Sequence, residues 1–517
     1  MRILGTFSSR TPWSGLLVCC LAGFGISNQA AFGKNVVVKF RSEEQLVLAF
    51  NAKSFADAAA VEMHAPGKLM KVTYRSESTD IAAQLRSLAG MEGVDYAVED
   101  MNFKLFDAPP KPSLEAMVDQ WSLATVHAQD AWRFGVGSKK VVVAVIDTGT
   151  DIAHKDLAAN IYVNPREIPD NGIDDDGNGF VDDVHGWNFI DDNSDVEDVV
   201  EAGANPGHGT HCAGIIGSLG RGDGTFGINQ QVSIMPLRFI GPGGGGDLFT
   251  AIKAIDYAIL MKADVISASW GAQTSAAQAQ PLIEAIGRAN AAGIIFVAAA
   301  GNDGLSNDEV ETYPANAPFP NVVAVAASDR RDERPYWSNY GRKKVAIAAP
   351  GADILSTLPH DMFGPLSGTS MAAPMVAGLF GLLKADALDH PERAPLSASA
   401  LIALVQSTGH QVAIESACMC RIDAVAAASA IATNQLFVVP AASSLAVGSS
   451  LQLTATGGHG PYAFSSNNPA VLSVGADGKA AALGAGTADI TVTDATGKAA
   501  LTPHYIVNSE AALKVSR

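Results

Sequence analysis

Unbroken apolar runs alternate with helical stretches through the middle of the chain. The apolar runs read VVVAVI, VSIMPL, DVISAS, GIIFVAAA and VVAVAA, and LFTAIKAIDYAILMK is typical of the stretches between them. Strands that are apolar on both faces are typical of a parallel sheet covered by helices on each side. The pattern therefore predicts an α/β domain with such a sheet. We place this domain at residues 109–434, ending with the alanine-rich helix of RIDAVAAASAIA.

Two smaller segments flank this domain. Residues 34–108 alternate strand-like runs such as VVVKF and LMKVTYR with helix-like runs such as FADAAAVEMH and IAAQLRSLA, which predicts a small α+β module. The segment DAPPKP at its end is expected to be an exposed linker. Residues 435–517 hold six or seven short strands with Gly, Asn and Asp at the turns, which predicts a β-sandwich.

The first 33 residues have the order of a secretory signal peptide. Arg2 and Arg10 precede the apolar run SGLLVCCLAGFGI, and small residues follow in NQAAFG. The run is short for a membrane span, and no later segment holds eighteen uninterrupted apolar residues. We therefore expect a secreted or cell-surface protein without a membrane span.

Composition and charge narrow the class of partner. Hydrophobic residues make up 48% of the 517 and charged residues 17%, the balance of a globular protein with a large core. The net charge of −18 disfavours a nucleic-acid partner, which needs clustered Lys and Arg. Beyond the first segment only Cys212, Cys418 and Cys420 remain, so disulfides do not build the fold. A bridge between Cys418 and Cys420 would be strained, and two reduced thiols are the alternative.

Four polar residues stand where the apolar pattern begins or ends. Asp147 ends the VVVAVI strand, Asn302 follows GIIFVAAA, and His208 begins an apparent helix in GHGTHCAG. Ser370 opens the buried helix of GTSMAAPMVAG, where its hydroxyl lies beside N–H groups that can stabilise an oxyanion. Each has an ordinary alternative: a cap for Asp147 and Ser370, a turn for Asn302, and a metal pair or two surface histidines for His208 with His211.

The order of these residues resembles that of the subtilisin-like serine proteases. The resemblance covers roughly residues 115–434 through DTGTD, GHGTHCAG, SWG, AAGN and GTSMAAP. It implies that Ser370 is the nucleophile, His208 the general base and then acid, and Asp147 the group that orients the imidazole. It also implies an oxyanion hole made by Asn302 and the backbone N–H of Ser370, a non-catalytic His211, and polypeptide substrates.

The resemblance extends to the substrate cleft. The glycines of GPGGGGD and the SWG segment resemble two edges that pair with an extended peptide. The pocket for the residue before the scissile bond is then lined by small residues, including Ala299 and Thr312, with room for a medium or large apolar side chain. A flexible loop is the alternative for the glycines. The assigned residues are Gly244, Gly245, Gly246, Ser269, Trp270, Gly271, Ala300 and Gly301.

Three other segments have family resemblances. Cys212 is similar in position to the cysteine beneath the catalytic His in proteinase K-like and kexin-like proteases, although a small buried hydrophobic role is the alternative. The 34–108 module resembles a subtilisin propeptide, an intramolecular inhibitor that assists folding and is then cleaved off. QWSLATVHAQDAW is similar to the start of the mature enzyme.

The tail leaves a second function open. PYAFSSNNPAVLSVGADGKAAALGAGTADITVTD resembles bacterial immunoglobulin-like modules. A non-catalytic adhesion protein that uses this tail is the alternative to a protease, and the intact Asp147, His208, Asn302 and Ser370 argue against it. A sedolisin, which uses a Glu–Asp pair, is disfavoured by GHGTH.

The acidic stretch DDDGNGFVDDVH resembles the opening of a calcium loop. We assign a structural Ca²⁺ to it rather than a sensor, because neither NPREIPDNGI before it nor HGWNFI after it reads as a helix. His185 stands at the closing position in place of Glu, so Asp183 or an acidic residue from elsewhere is expected to complete the shell. A metal-free acidic hairpin is the alternative. The assigned ligands are Asp174, Asp176, Asn178, Phe180 and Asp182.

Overall fold

The computed structural model describes residues 34–51, 55, 58–74, 80–106, 119–221, 224–391, 393, 395–502 and 505–509. The predicted signal peptide and the DAPPKP linker lie outside the described residues.

The N-terminal module is a four-stranded antiparallel sheet with two helices. The sheet has the order β2-β3-β1-β4, and a fifth strand leaves it to join the central domain. The helix expected at FADAAAVEMH is wrong, because Ala58–His64 is a strand paired with Leu69–Tyr74, with a register shift between Ala58 and Ala60. Pairing overrides the helix propensity of Ala, Glu and Met there. The elements are β1 (Asn35–Phe40), α1 (Glu43–Asn51), β2 (Ala58–His64), β3 (Leu69–Tyr74), α2 (Ile81–Ala89), β4 (Val94–Glu99) and β5 (Asn102–Leu105).

The module has an apolar residue on each face of its first strand. Val36 and Val38 pack in the module's own core with Leu46 of α1. Val37 points to the opposite face, as the two-residue period of a strand requires, and packs in a core cluster of the central domain. The sheet is therefore covered by its own helices on one face and by the central domain on the other.

The central domain is a nine-stranded sheet with helices on both faces. The order is β18-β19-β15-β14-β12-β10-β6-β8-β7, and all its pairs are parallel except β18 with β19. The helices are α3 (Trp121–Thr125), α4 (Ala128–Ala131), α5 (His208–Gly217), α6 (Leu248–Leu260), α7 (Gln280–Ala291), α8 (Thr369–Asp389), α9 (Ala398–Thr408) and α10 (Ala424–Ala432), with a 3-10 turn at Ala158–Asn160. The strands are β6 (Gly137–Asp147), β7 (Trp187–Asn188), β8 (Gln231–Arg238), β9 (Gly245–Asp247), β10 (Val265–Ala268), β11 (Trp270–Gln273), β12 (Ile295–Ala299), β13 (Thr312–Tyr313), β14 (Val322–Ser328), β15 (Ile347–Pro350), β16 (Ile354–Leu358), β17 (Met362–Leu366), β18 (His410–Gln411) and β19 (Cys420–Arg421).

Two apolar clusters cover the faces of this sheet. One contains α5, α8, α9 and α10, and the other contains α6 and α7. Adjacent residues of β6 divide between them, with Val143 and Val145 in the first and Ala144 and Ile146 in the second. The predicted α/β fold class is confirmed.

Helix α8 is the central element of the first face. It is apolar on every side and satisfies the length and hydropathy criteria for a membrane span, but 78% of its most apolar window is buried inside the protein. Its burial against six strands of the sheet explains why all of its faces are apolar.

The C-terminal region is an all-β unit with its own core. Leu436, Val438, Ile490 and Tyr505 are among the buried residues of that core. Phe437, which alternates with Leu436 and Val438, packs in the first cluster of the central domain. The strands are β20 (Phe437–Val439), β21 (Ser444–Ala446), β22 (Ser450–Gln452), β23 (Thr454–Thr456), β24 (Ala463–Ser466), β25 (Leu472–Val474), β26 (Lys479–Ala482), β27 (Gly486–Ala488), β28 (Ile490–Thr493), β29 (Ala499–Leu501) and β30 (Tyr505–Asn508).

The cysteines of the central domain fall into two kinds. Cys418 and Cys420 are buried and joined by a disulfide, so of the two states left open by the sequence the structure has the bridge. Cys212 is a buried free thiol in α5.

Candidate active site

Asp147 and His208 form a buried hydrogen-bonded pair. Asp147 is the last residue of β6 and His208 the first of α5, and both are at most 1% exposed. The imidazole Nδ1 lies 2.7 Å from Oδ1 of Asp147, which also accepts from the backbone N–H of Thr148 over 2.8 Å. Because a carboxylate accepts, the pair fixes the proton on Nδ1 and leaves Nε2 to exchange protons with a substrate.

Ser370 lies at the start of α8, and Pro374 leaves the carbonyl oxygen of Ser370 without a hydrogen-bond donor from the helix. Proline has no N–H, so the carbonyl oxygen four residues earlier, that of Ser370, has no helical donor. The hydroxyl of Ser269 donates to this oxygen over 2.8 Å, and the thiol of Cys212 over 3.5 Å. The start of α8 is thereby tied to the end of β10 and to α5.

Asn302 and Ser370 meet at one carbonyl oxygen, that of Phe106. The Asn302 Nδ2 group donates to it, and the Ser370 hydroxyl lies 2.9 Å from it. The other end of the amide, Oδ1, accepts from the backbone N–H and the hydroxyl of Thr369 at 3.0 and 2.9 Å. These two bonds keep Nδ2 directed into the cleft, where a donor can stabilise a developing oxyanion.

Strand β5 of the N-terminal module lies between the two edges of this cleft. It pairs antiparallel with β9 on one side and with β11 on the other. Lys104 is opposite Gly245 on the first edge and Gly271 on the second. Both segments predicted to bind an extended peptide, GPGGGGD and SWG, therefore hold one in the structure.

Of the other predicted cleft residues, Gly244 and Gly246 also contact β5, whereas Gly301 and Ala300 make other contacts. Gly246 is opposite Phe103 in β5, and the carbonyl oxygen of Gly244 accepts from the N–H of Leu105 over 3.4 Å. The N–H of Gly301 donates to the Thr369 hydroxyl over 3.1 Å. The side chain of Ala300 packs in a separate cluster from the one that holds Phe106.

The sequence patterns did not lead us to assign Phe103 or Phe106 to the cleft. Both are buried, at 1% and 3% exposure, although they belong to the last apolar run before the DAPPKP linker. The available signal was that run itself, FKLF, because two large apolar residues beside a linker that is predicted to be exposed need a surface to cover them.

Burial keeps two further groups of α5 neutral. Burial lowers the pKa of His211 to about 3, and its Nε2 lies 3.0 Å from the carbonyl oxygen of Gly364 in β17. Burial raises the pKa of the Cys212 thiol, whose sulfur is 3.9 Å from Nδ1 of His208. His211 is thus a support for the β16–β17 hairpin.

Two of the five predicted calcium ligands, Asp174 and Asp182, bind backbone N–H groups of the acidic loop. The carboxylate of Asp174 accepts from the N–H groups of Gly177, Asn178 and Gly179, and that of Asp182 accepts from those of Asn171 and Gly172. These contacts close the turns of the acidic loop. The ring of Phe180 packs edge-on against Tyr257, with centroids 4.8 Å apart.

A different acidic cluster forms beside that loop. Glu167, Asp176 and Asp183 each offer an oxygen within 4.8 Å of the others. Asp176 belongs to the predicted set, and Asp183 is the residue expected to complete it. Glu167 has no sequence signal, because it lies before the motif. Its Oε2 is buried and has no hydrogen-bond partner among the described residues, while its Oε1 accepts from the N–H of Asp176 over 3.1 Å.

The hydrogen-bond donors around Asp183 are neutral and do not offset the negative charge of the cluster. Asp183 accepts from Asn164, Asn178 and the hydroxyl of Tyr257 at 2.9, 2.8 and 2.6 Å, and these donors carry no charge. Burial raises the pKa of Glu167 and of Asp183, and nearby carboxylates add to the effect on Glu167. The exposed guanidinium group of Arg166 forms an ion pair with the carboxylate of Asp176 at 2.8 Å.

Comparisons with known proteins match two parts of the chain. The profile of the subtilase family matches residues 138–419, and that of the intimin immunoglobulin-like domain matches residues 446–496. The chain is 37% identical to Subtilisin-like protease 2 of Plasmodium falciparum over 265 residues, 51% of this chain and 18% of the relative. It is 34% identical to thermitase of Thermoactinomyces vulgaris over 265 residues, 51% of this chain and 81% of thermitase. With the Minor extracellular protease Epr of Bacillus subtilis it shares 32% identity over 266 residues, 52% of this chain and 35% of Epr. The matched region thus spans most of thermitase and less than a fifth of the Plasmodium protein.

Proposed function

The chain belongs to the subtilase family, and from this premise we propose that it is a secreted serine endopeptidase made as a self-processing zymogen. Asp147, His208 and Ser370 carry the reaction, and Asn302 supports the oxyanion. The observation that best supports the proposal is that the Ser370 hydroxyl and the Asn302 amide both bind one oxygen, the carbonyl oxygen of Phe106.

Each group has one role in hydrolysis. The Ser370 oxygen attacks a substrate carbonyl carbon while Nε2 of His208 takes its proton, and Asp147 stabilises the imidazolium through Nδ1. Asn302 donates to the oxygen that becomes negative, at the position that the Phe106 oxygen holds. His208 then gives the proton to the leaving amine, and water releases the acyl group by the same steps in reverse order.

The N-terminal module acts as an inhibitor in this proposal. Its strand β5 fills the cleft between β9 and β11, so another peptide cannot pair there until it leaves. Secretion is supported by the signal-like first 33 residues and by the relative Epr, whose name describes an extracellular protease.

Covalent labelling separates this proposal from a non-catalytic adhesion protein. A fluorophosphonate is expected to label the processed protein at Ser370 and to abolish cleavage of casein. Ser370→Ala protein, expressed in a host deficient in other proteases, is expected to keep its N-terminal module attached. An unlabelled protein that binds cells through its C-terminal unit would establish the adhesion function instead.

We also propose that Glu167, Asp176 and Asp183 hold a structural Ca²⁺. Three carboxylates with one buried, unpartnered oxygen fit a hard cation that prefers oxygen ligands. The ion would hold the acidic loop against Tyr257 of α6 through Asp183.

Thermal unfolding tests the ion site without depending on activity. In uncut Ser370→Ala protein, a chelator is expected to lower the melting temperature by about 5 °C or more, and added Ca²⁺ to restore it. Glu167→Gln should remove most of this response, and the exposed Glu201→Gln serves as the control. A melting temperature that a chelator leaves unchanged excludes the site and leaves the protease proposal intact.

A further inference from the structure

A cavity of about 630 Å³, the junction cavity, lies between the central domain and the C-terminal unit. Its volume is in the range of pockets that hold small molecules. It is bounded by the last two turns of α8, by α9 and the end of α10, and by β20 and the turn after β23. Leu388 belongs to the lining and is 47% exposed, so apolar surface remains open to solvent. The lining residues that are at most 4% exposed include Val141, Leu383, Leu401, Leu404 and Phe437.

The junction cavity lies away from the candidate active site. Val141 lines the cavity from the middle of β6, whereas Asp147 ends that strand. Six residues of extended strand separate them by about 20 Å. Asp264 lines the cavity from the position directly before β10, and Ser269 follows the other end of that strand. The cavity is therefore separate from the cleft that β5 occupies.

The charged side chains of the lining leave one positive charge without a counter-charge. Lys384 pairs with Asp264 at 3.1 Å. Arg393 pairs with Asp386 at 2.6 Å. Lys140 is the other charged residue of the lining, and among the residues that the structure describes no carboxylate forms an ion pair with it. An anionic group beside Lys140 would balance the set.

We propose that the junction cavity binds a free fatty acid, with the alkyl chain among the apolar lining residues and the carboxylate beside Lys140. This inference goes beyond the proposed protease function and does not depend on it.

An alkyl chain matches the lining better than a peptide does. A peptide would bring N–H and C=O groups into the cavity, and each group left unpaired there costs free energy. The lining has few free partners for them, since its two ion pairs are closed and the Asn434 amide donates to the carbonyl oxygen of Gly458 over 3.1 Å. An alkyl chain needs no such partners, and each buried methylene group adds to its affinity.

Titration calorimetry of uncut Ser370→Ala protein with octanoate, decanoate and dodecanoate tests the proposal. Below the concentrations at which these compounds form micelles, one molecule is expected to bind per chain. Each added methylene group should lower the Kd about three-fold. A Kd that does not change with chain length, or an absence of dodecanoate binding, would overturn the proposal. Either result leaves the proposed protease function standing, because fluorophosphonate labelling of Ser370 tests that function separately.

A lysine variant tests the place of the carboxylate. Lys140→Ala is expected to weaken dodecanoate binding about three-fold and to leave the Kd of the neutral 1-decanol unchanged. Lys479→Ala, which removes an exposed lysine of the C-terminal unit, is the control and should bind dodecanoate as the parent does. Equal dodecanoate affinity in the Lys140→Ala protein and its parent would show that the carboxylate does not lie beside Lys140.

Two tryptophan variants of α10 test the place of the alkyl chain. Ala432 lines the junction cavity and Ala426 does not, and both are partly buried. Ala432→Trp should weaken dodecanoate binding about ten-fold or more, because the indole takes the room of several methylene groups. Ala426→Trp should bind as the parent does, and the melting temperatures of the two variants show whether both are folded. Unchanged dodecanoate affinity in folded Ala432→Trp protein would place the binding elsewhere and overturn the proposal.

Discussion

Ser269 and Ser370 are joined by two short contacts between their hydroxyl and carbonyl groups. The hydroxyl of Ser269 donates to the carbonyl oxygen of Ser370, and the hydroxyl of Ser370 lies the same distance, 2.8 Å, from the carbonyl oxygen of Ser269. The first contact exists because Pro374 supplies no helical N–H. The edge proposed to bind substrate and the helix that begins beside Ser370, the proposed nucleophile, are thus held to each other at Ser370 itself.

Ser269→Ala is therefore expected to lower kcat about ten-fold with little change in KM. The substitution removes the closer of two donors to a buried carbonyl, a loss of about 1–2 kcal/mol in the free energy that positions Ser370. Steady-state kinetics on a good peptide substrate measures both constants, and the half-exposed Ser407→Ala in α9 is the control. A rise in KM alone would show that Ser269 acts on substrate binding and not on the nucleophile.

The buried thiol of Cys212 is expected to make the enzyme sensitive to mercurials, and replacing Cys212 is expected to remove that sensitivity. Its thiol donates to the same carbonyl oxygen of Ser370 and lies 3.9 Å from His208. Because burial raises the pKa of this thiol, it reacts slowly with alkylating agents, whereas a mercurial binds sulfur strongly enough to displace its proton. Mercurial treatment is expected to abolish activity in the parent enzyme, and Cys212→Val should stay active throughout. Equal inactivation of Cys212→Val would place the sensitive group elsewhere.

His211 is expected to make the fold sensitive to acid. Its pKa is about 3 in the folded protein and near 6.5 when unfolded, so the unfolded state binds a proton that the folded state excludes. The stability gained from keeping it neutral is full above pH 6.5 and falls as the pH drops towards 3. Denaturant unfolding of Ser370→Ala protein at pH 7.5 and 5.0 measures the loss.

A matched pair of variants isolates this contribution. His211→Gln removes the titrating group. Between pH 7.5 and pH 5.0 its free energy of unfolding should therefore fall by about 1–2 kcal/mol less than that of the parent. The exposed His410→Gln should lose as much as the parent does. If His211→Gln and the parent lose equal stability, another group governs the acid response.

Local patterns in the sequence predicted the parts of the molecule that local residues determine. Continuous apolar runs predicted the parallel sheet, because strands buried on both faces need no alternation. Asp147, His208, Asn302 and Ser370 were predicted from positions at strand ends and helix starts. The structure pairs Asp147 with His208 and brings Asn302 and Ser370 to one carbonyl oxygen.

The features that the sequence did not predict depend on contacts between distant segments. FADAAAVEMH has helical residues, and only pairing with β3 makes Ala58–His64 a strand. Glu167 meets Asp176 and Asp183 through the path of a loop, which a ligand spacing along the chain does not describe. The packing of Phe103 against Trp270 depends on the insertion of β5 into the central domain.

Lys71 bridges the N-terminal module and the central domain through two carboxylates. Its Nζ lies 3.0 Å from Asp100 in the module and 2.6 Å from Asp247, the residue that caps α6. Burial and the nearby Asp247 raise the pKa of Asp100, so stability from its bound proton is present at low pH and is lost as the pH rises.

Lys71→Ala should therefore destabilise uncut Ser370→Ala protein more at pH 8 than at pH 5. At the higher pH both carboxylates ionise with no cation between them, and the cost is expected to be about 3 kcal/mol. Lys253→Ala is the matched control, because its partner Glu62 is half exposed and such pairs contribute at most about 1 kcal/mol. Denaturant unfolding at pH 5 and pH 8 measures the free energy that each of the two lysine variants loses at each pH. A similar loss for the two lysines, unchanged by pH, would mean that the buried bridge contributes no more than a surface pair.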